Sequence, residues 1–225
     1  MPFVVVDTSV SLPATLSPGG RKRRFWVILA LGALTYEIEH GRLELEMLED
    51  QAQETGGTVR GLERRRAHIE EASDRRAALL ELLPAGTPDD WVAIGSKPLF
   101  DEYERKLTEI GSKLDPNLQR QDIPLLRRQL ESVCVVAAPR FDPATVPHLT
   151  RDRKDDPILF TALSGDADLL ISDDKDLVPD GHEEHWDHEK RGVVAVRFST
   201  LVSDRLDHVD WEAIDGHWLA VAHGP

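Results

Sequence analysis

Asp7 closes the apolar run Val4-Val5-Val6, and far along the chain Asp173, Asp174 and Asp176 follow another such run, Leu169-Leu170-Ile171. A parallel sheet gathers its strand C-termini on one edge, so carboxylates remote in sequence can meet there. Oxygen-rich groupings of that kind hold hard divalent cations, and Mg2+ takes only a few protein ligands while keeping several waters. Ions held this way orient water and neutralise charge on a reacting phosphate. The candidate ligands are Asp7, Glu102, Asp156, Asp174 and Asp176. Each also has an ordinary structural explanation. Asp156 precedes the helical run Pro157 to Leu163 and fits a helix cap. Asp173 to Asp176 fits a solvated acidic turn. Glu102 flanks the apolar stripe of its helix, either solvated or aimed into a cleft.

The chain has 225 residues, 40% of them hydrophobic, enough to bury a core as one domain with an elaboration. Its 41 acids against 27 Lys and Arg give a formal net charge of -14, which argues against a broad nonspecific grip on phosphate backbones. A nuclease with local basic patches stays compatible with that balance. The densest basic run is Arg21-Lys22-Arg23-Arg24, soon after the turn signal Ser17-Pro18-Gly19-Gly20. It fits either a phosphate-binding patch near Asp7 or the basic solvated face of a core helix. Lys175 is a further candidate phosphate contact. The single cysteine, Cys134, excludes an internal disulfide and reads as inert in a buried strand. No stretch approaches membrane-spanning length and no signal-peptide pattern opens the chain, so a cytoplasmic protein without a membrane partner is expected.

Elements able to position the acids follow from patterning. Phe3 to Val6 reads as a buried strand, with Asp7-Thr8-Ser9-Val10 opening a loop. Phe25 to Leu31 reads as a helix, Trp91 to Gly95 as a short strand, and Pro98 to Ile110 as a helix with Leu99, Tyr103, Leu107 and Ile110 on one face. Helices are expected at Pro124–Leu130 and Pro157–Leu163, and strands at Val133–Ala137, Leu169–Ile171 and Val193–Val196. That alternation specifies a mostly parallel α/β sheet flanked by helices. Between them, Thr35 to Leu83 is Glu- and Arg-rich, has no proline, and breaks only at Gly56-Gly57, which fits a two-helix hairpin. Its apolar residues, among them Leu43, Met47, Leu62 and Ile69, need something to pack against. The domain therefore spans 1–201, interrupted by a helical insertion at 35–90. Residues 202–225 are expected to pack on it as an extension containing Trp211, Ile214, Trp218 and Leu219.

Val4-Val5-Val6-Asp7-Thr8-Ser9 resembles the opening of a PIN domain. The block from Arg151 through Asp155-Asp156-Pro157-Ile158-Leu159 to Ala167-Asp168-Leu169-Leu170-Ile171-Ser172-Asp173-Asp174-Lys175-Asp176-Leu177 resembles its second half. Ser96 to Leu107 is similar to the helix that carries the family's glutamate, and Arg197-Phe198-Ser199 to its ending. The likeness covers 1–31 and 91–201. It implies a Rossmann-like sheet and Mg2+- or Mn2+-dependent cleavage of RNA. It also implies a possible toxin role under restraint by an antitoxin, and a homodimer. Asp7, Glu102, Asp156 and Asp174 match the four acids and Asp176 a frequent fifth. Ser172 matches the small hydroxyl residue ending the fourth strand. Ser9 stands where Asn is commoner, and both serines are candidate substrate contacts. The insertion has no place in the minimal fold.

His182, His185 and His188 lie between Pro179-Asp180-Gly181 and Gly192, and a polar loop is the expectation there rather than a zinc site. The leading reading is a metal-dependent endoribonuclease acting on single-stranded or structured RNA. The alternative is a noncatalytic interaction module of the same fold that works through the insertion.

Overall fold

Val4 and Val6 face one side of the first strand and Val5 the other, and both sides are covered. These residues belong to β1 (Phe3–Val6) in a computed structural model that describes residues 1–16, 20–55, 61–137, 148–179, 183–188, 191–211 and 214. β1 lies between β2 (Val92–Gly95) and β4 (Leu169–Ile171), parallel to both. Outside them lie β3 (Cys134–Val136) and β6 (Arg191–Val196), again parallel, and β5 (Glu183–His188) pairs antiparallel to β6. The order is β3-β2-β1-β4-β6-β5. Successive connections leave β1 in opposite directions, which opens a crevice at the C-terminal ends of β1 and β4.

α6 (Asp156–Ser164) covers the Val5 face with Ile158, Leu159, Ala162 and Leu163. The opposite face receives α1 (Thr8–Leu16), the first part of α2 (Arg21–Thr55), and α4 (Lys97–Leu114), with Phe25, Trp26, Ile28, Leu29, Tyr103 and Leu107 fully buried or nearly so. α5 (Ile123–Ser132) packs beside α4, and α7 (Phe198–Asp204) adds Phe198 and Leu201. After α7, Leu206, Val209, Trp211 and Ile214 join the same core. Trp218 and Leu219 lie outside the described residues.

Three local expectations change. Asp7 does not open a loop: its carbonyl accepts the Val10 and Ser11 N–H groups at 3.0 and 2.9 Å, so α1 begins at once. The segment read as a polar histidine loop is β5. It is a sheet edge whose Glu183 and His185 face solvent, while Trp186 turns inward and donates its indole N–H to the Leu177 carbonyl at 3.1 Å. Charged side chains on such a strand protect an open edge. His182 lies outside the described residues. Finally, β3 is a sheet edge rather than a buried strand, with Val136 65% exposed. Burial, and then the charge of Glu131, still push the Cys134 thiol up to about 12, which keeps it protonated and unreactive.

The insertion is a helical hairpin, but its first helix is not a separate element. α2 runs unbroken for 35 residues from the core into the arm, and α3 (Leu62–Glu81) returns along it. Gly32 lets α2 touch the sheet, because a β-carbon there would lie 1.9 Å from the Trp91 carbonyl oxygen. Gly41 does the same for Ile69 of α3, at 2.9 Å. Ion pairs Arg65–Glu44 and Arg66–Glu49, with His68 Nε2 2.7 Å from a Glu37 carboxylate oxygen, tie the two helices together. Ala72 and Leu79 are buried, whereas Leu43 and Met47 stay 59% and 64% exposed. The Gly56-Gly57 break lies outside the described residues. Among the described residues no helix is long and apolar enough to cross a membrane.

Candidate metal centre

Asp7 leaves β1 at the crevice, buried, with both carboxylate oxygens held. Oδ1 accepts the Thr8 N–H at 2.5 Å and the Thr8 hydroxyl at 3.2 Å. Oδ2 accepts the Ser9 hydroxyl at 2.6 Å and the Ser172 hydroxyl at 2.7 Å. Ser172, fully buried at the end of β4, also accepts the Asp174 N–H at 2.9 Å. One hydroxyl thus joins the first acid to the backbone of the last. Ser9 does a parallel job, accepting the Asp173 N–H at 2.9 Å. Both serines are placed to orient the acidic loop from within, while the expectation for them was contact with substrate.

Beyond Ser172 the chain turns so that Asp174 and Asp176 face the same space. Asp174 Oδ1 accepts the Asp176 N–H at 2.9 Å. The third carboxylate there is Asp155. Ligand oxygens of Asp155, Asp174 and Asp176 lie within 4.8 Å of one another, half-buried. Burial, then the charges of Asp174 and Asp7 and, more weakly, of Asp152 and Asp176, push the Asp155 carboxyl up to about 7. Like charges crowded this closely favour a cation among them, and the donors are all carboxylate oxygens, which suits Mg2+ or Mn2+. Asp7 stands beside the three, near enough for its charge to act on Asp155.

Asp156, expected in that place, faces away. Its Oδ1 accepts the Thr150 hydroxyl at 2.6 Å and the Thr150 and Leu149 N–H groups at 3.0 and 3.3 Å. Its Oδ2 lies 2.8 Å from His148 Nδ1. Burial pushes the Asp156 carboxyl up, but those partners together outweigh it and hold the group below its ordinary value. The helical period explains the exchange. Asp155 lies one turn before Ile158 and Leu159, which begin the stripe that packs on the sheet, so it continues that stripe toward the crevice. Counting back along that stripe was the available signal for Asp155.

Glu102 is also outside the cluster. It is mostly buried, and Arg105 grips both of its oxygens at 2.8 and 2.6 Å, with Lys106 at 4.0 Å. The basic run behaves unevenly. Arg21 is exposed and Arg24 half-buried, but Arg23 is buried. Lys22 pairs with Asp173 and donates to the Ser9 carbonyl at 3.2 Å, so it braces the acidic loop. Asp173 Oδ1 in turn accepts the Phe198 N–H at 3.2 Å. Lys175 is exposed, between two cluster acids.

Residues 3–176 match the family model described as PIN domain. No curated protein and no solved structure matches the chain.

Proposed function

The chain belongs to the PIN domain family, whose members are generally nucleases, and from that premise we propose that it is a divalent-metal-dependent endoribonuclease. The observation that carries the reading is the convergence of Asp155, Asp174 and Asp176 beside Asp7 at the switch point of the sheet. Asp155, Asp174 and Asp176 would hold Mg2+ or Mn2+, with Asp7 completing the negative field. The cation supplies the activation of water and the neutralisation of phosphate charge. The chain's own part is preorganisation. Ser172 and Ser9 fix the first acid relative to the loop of the last two. Lys22 and Asp173 brace that loop against α2. Lys175, exposed between two of these acids, would meet a phosphate. Glu102, clasped by Arg105, would act at the site only after exchanging that partner.

RNA is the proposed substrate, single-stranded or in unpaired parts of a structure, in a cytoplasmic setting. A toxin role with an antitoxin as partner is the finer form of the same reading. The test is cleavage of a labelled single-stranded RNA with Mg2+, with Mn2+ and with EDTA, for the native chain and Asp174→Asn. Metal-dependent cuts lost in the variant support the reading, and equal cutting by both overturns it. Growth arrest on expression, relieved by Asp174→Asn, tests the toxin form.

The second reading, a noncatalytic interaction module, is favoured by one feature: the exposed Leu43 and Met47, one turn apart on the arm. A folded chain that takes up no Mn2+ and cuts no RNA would select it.

A further inference from the structure

We propose that the turn leading into α6, with Arg151, Arg153 and Lys154 beside His148, is a phosphate-binding subsite for the nucleic-acid strand next to the acidic cluster. The inference rests on the nuclease reading and adds where the strand is gripped. Four residues, Arg151 to Lys154, hold three cations, all exposed, and the single acid among them, Asp152, spends its Oδ1 on the Lys154 N–H at 3.0 Å. Among the described residues Arg151 and Lys154 have no carboxylate partner, and Arg153 stands beside His148, its Nε 3.1 Å from the Nδ1 that faces Asp156. In a chain of net charge -14, three exposed cations against one acid, directly before a cluster acid, form a local exception to the overall field.

The turn is also built to keep its shape. The Thr150 hydroxyl lies 2.6 Å from the Asp152 carbonyl, and that carbonyl accepts the Asp155 N–H at 2.9 Å. Asp156 gathers Leu149, Thr150 and His148 onto one buried carboxylate. Asp155 and Asp156, adjacent in sequence, therefore face opposite tasks. One joins the cluster, and the other anchors the cationic turn beside it. The basic run at the start of α2 is less suited to a strand, because Arg23 is buried and Lys22 is committed to Asp173.

The experiment compares the full native chain with the triple variant Arg151→Ala, Arg153→Ala, Lys154→Ala. Binding of a 12-nucleotide (roughly strand-sized) single-stranded RNA is followed by fluorescence anisotropy in EDTA across a salt series. Losing three phosphate contacts should flatten the plot of log affinity against log salt by about 2 and weaken binding on the order of a hundredfold at low salt. Mn2+ uptake, read from the free-ion paramagnetic resonance signal, should persist in the variant. Equal salt slopes for the two proteins overturn the subsite and leave the nuclease reading standing. A variant that no longer takes up Mn2+ also overturns it, because the turn would then be part of the frame of the cluster. A native chain that binds neither RNA nor the matching single-stranded DNA overturns the subsite together with the nuclease reading.

Discussion

Ser172 and Asp7 are 165 positions apart in the chain, yet the serine hydroxyl donates to the buried Asp7 carboxylate at 2.7 Å. The same hydroxyl accepts the Asp174 N–H, so β1 and β4 are locked in register at the point where the acids emerge. Ser172→Ala should leave the fold intact and cost about 1 kcal/mol of stability. It should also lower Mn2+ affinity roughly 10- to 100-fold, as loss of an orienting partner of a ligand does. Calorimetric titration with Mn2+ checks this, and native affinity in the alanine variant would contradict the orienting role.

Asp155 and Asp156 should separate cleanly on substitution. Asp155→Asn removes a cluster carboxylate and should abolish metal-dependent cleavage while raising the melting temperature of the metal-free protein at pH 8. Asp156→Ala strips one carboxylate from three donors and His148 and should lower stability by about 1–3 kcal/mol. Mn2+ uptake should survive in that variant. Paired melting and Mn2+ titrations decide, and the reverse pattern would return Asp156 to the cluster.

The metal-free protein should lose stability as pH rises from 5 to 8. The folded Asp155 carboxyl keeps its proton up to about pH 7, whereas in the unfolded chain it releases it near 3.8. Folding therefore binds a proton in that window and is favoured on its acid side. Solvent still reaches the group, so screening reduces the effect to on the order of 1 kcal/mol, about 2–4 °C in a chain of this size. Asp155→Asn should flatten the slope. A melting temperature that climbs between pH 5 and pH 8 would contradict the crowding at Asp155.

The five parallel strands were legible from patterning because each carries a short apolar run, and the acids at the ends of β1 and β4 came with them. What patterning missed has local causes. The choice between Asp155 and Asp156 depends on which side of α6 meets the sheet. Lys22 was visible as a cation, but its pairing with Asp173 spans elements that only the fold brings together. β5 was hidden by its own polarity, since an edge strand with charged residues on its open side lacks the apolar signature of the core. The unbroken helix through Thr35 was hidden because its composition changes where it leaves the core, although its backbone does not.

The arm supplies a prediction independent of the metal. Leu43 and Met47 lie on α2 away from the buried contacts that α3 makes through Ala72 and Leu79, and we propose that they mediate self-association. Leu43→Glu with Met47→Glu should reduce the assembled mass seen by light scattering and leave the circular dichroism spectrum unchanged. An assembly state that does not move would reject the homodimer through this face.

Mn2+ should bind among the carboxylates at the β1–β4 crevice. Crystals soaked in millimolar Mn2+ and measured for anomalous scattering test it directly. A peak is expected bounded by Asp155, Asp174 and Asp176 with Asp7 adjoining, and none beside Asp156. Well-ordered carboxylates with no anomalous peak among them would contradict it.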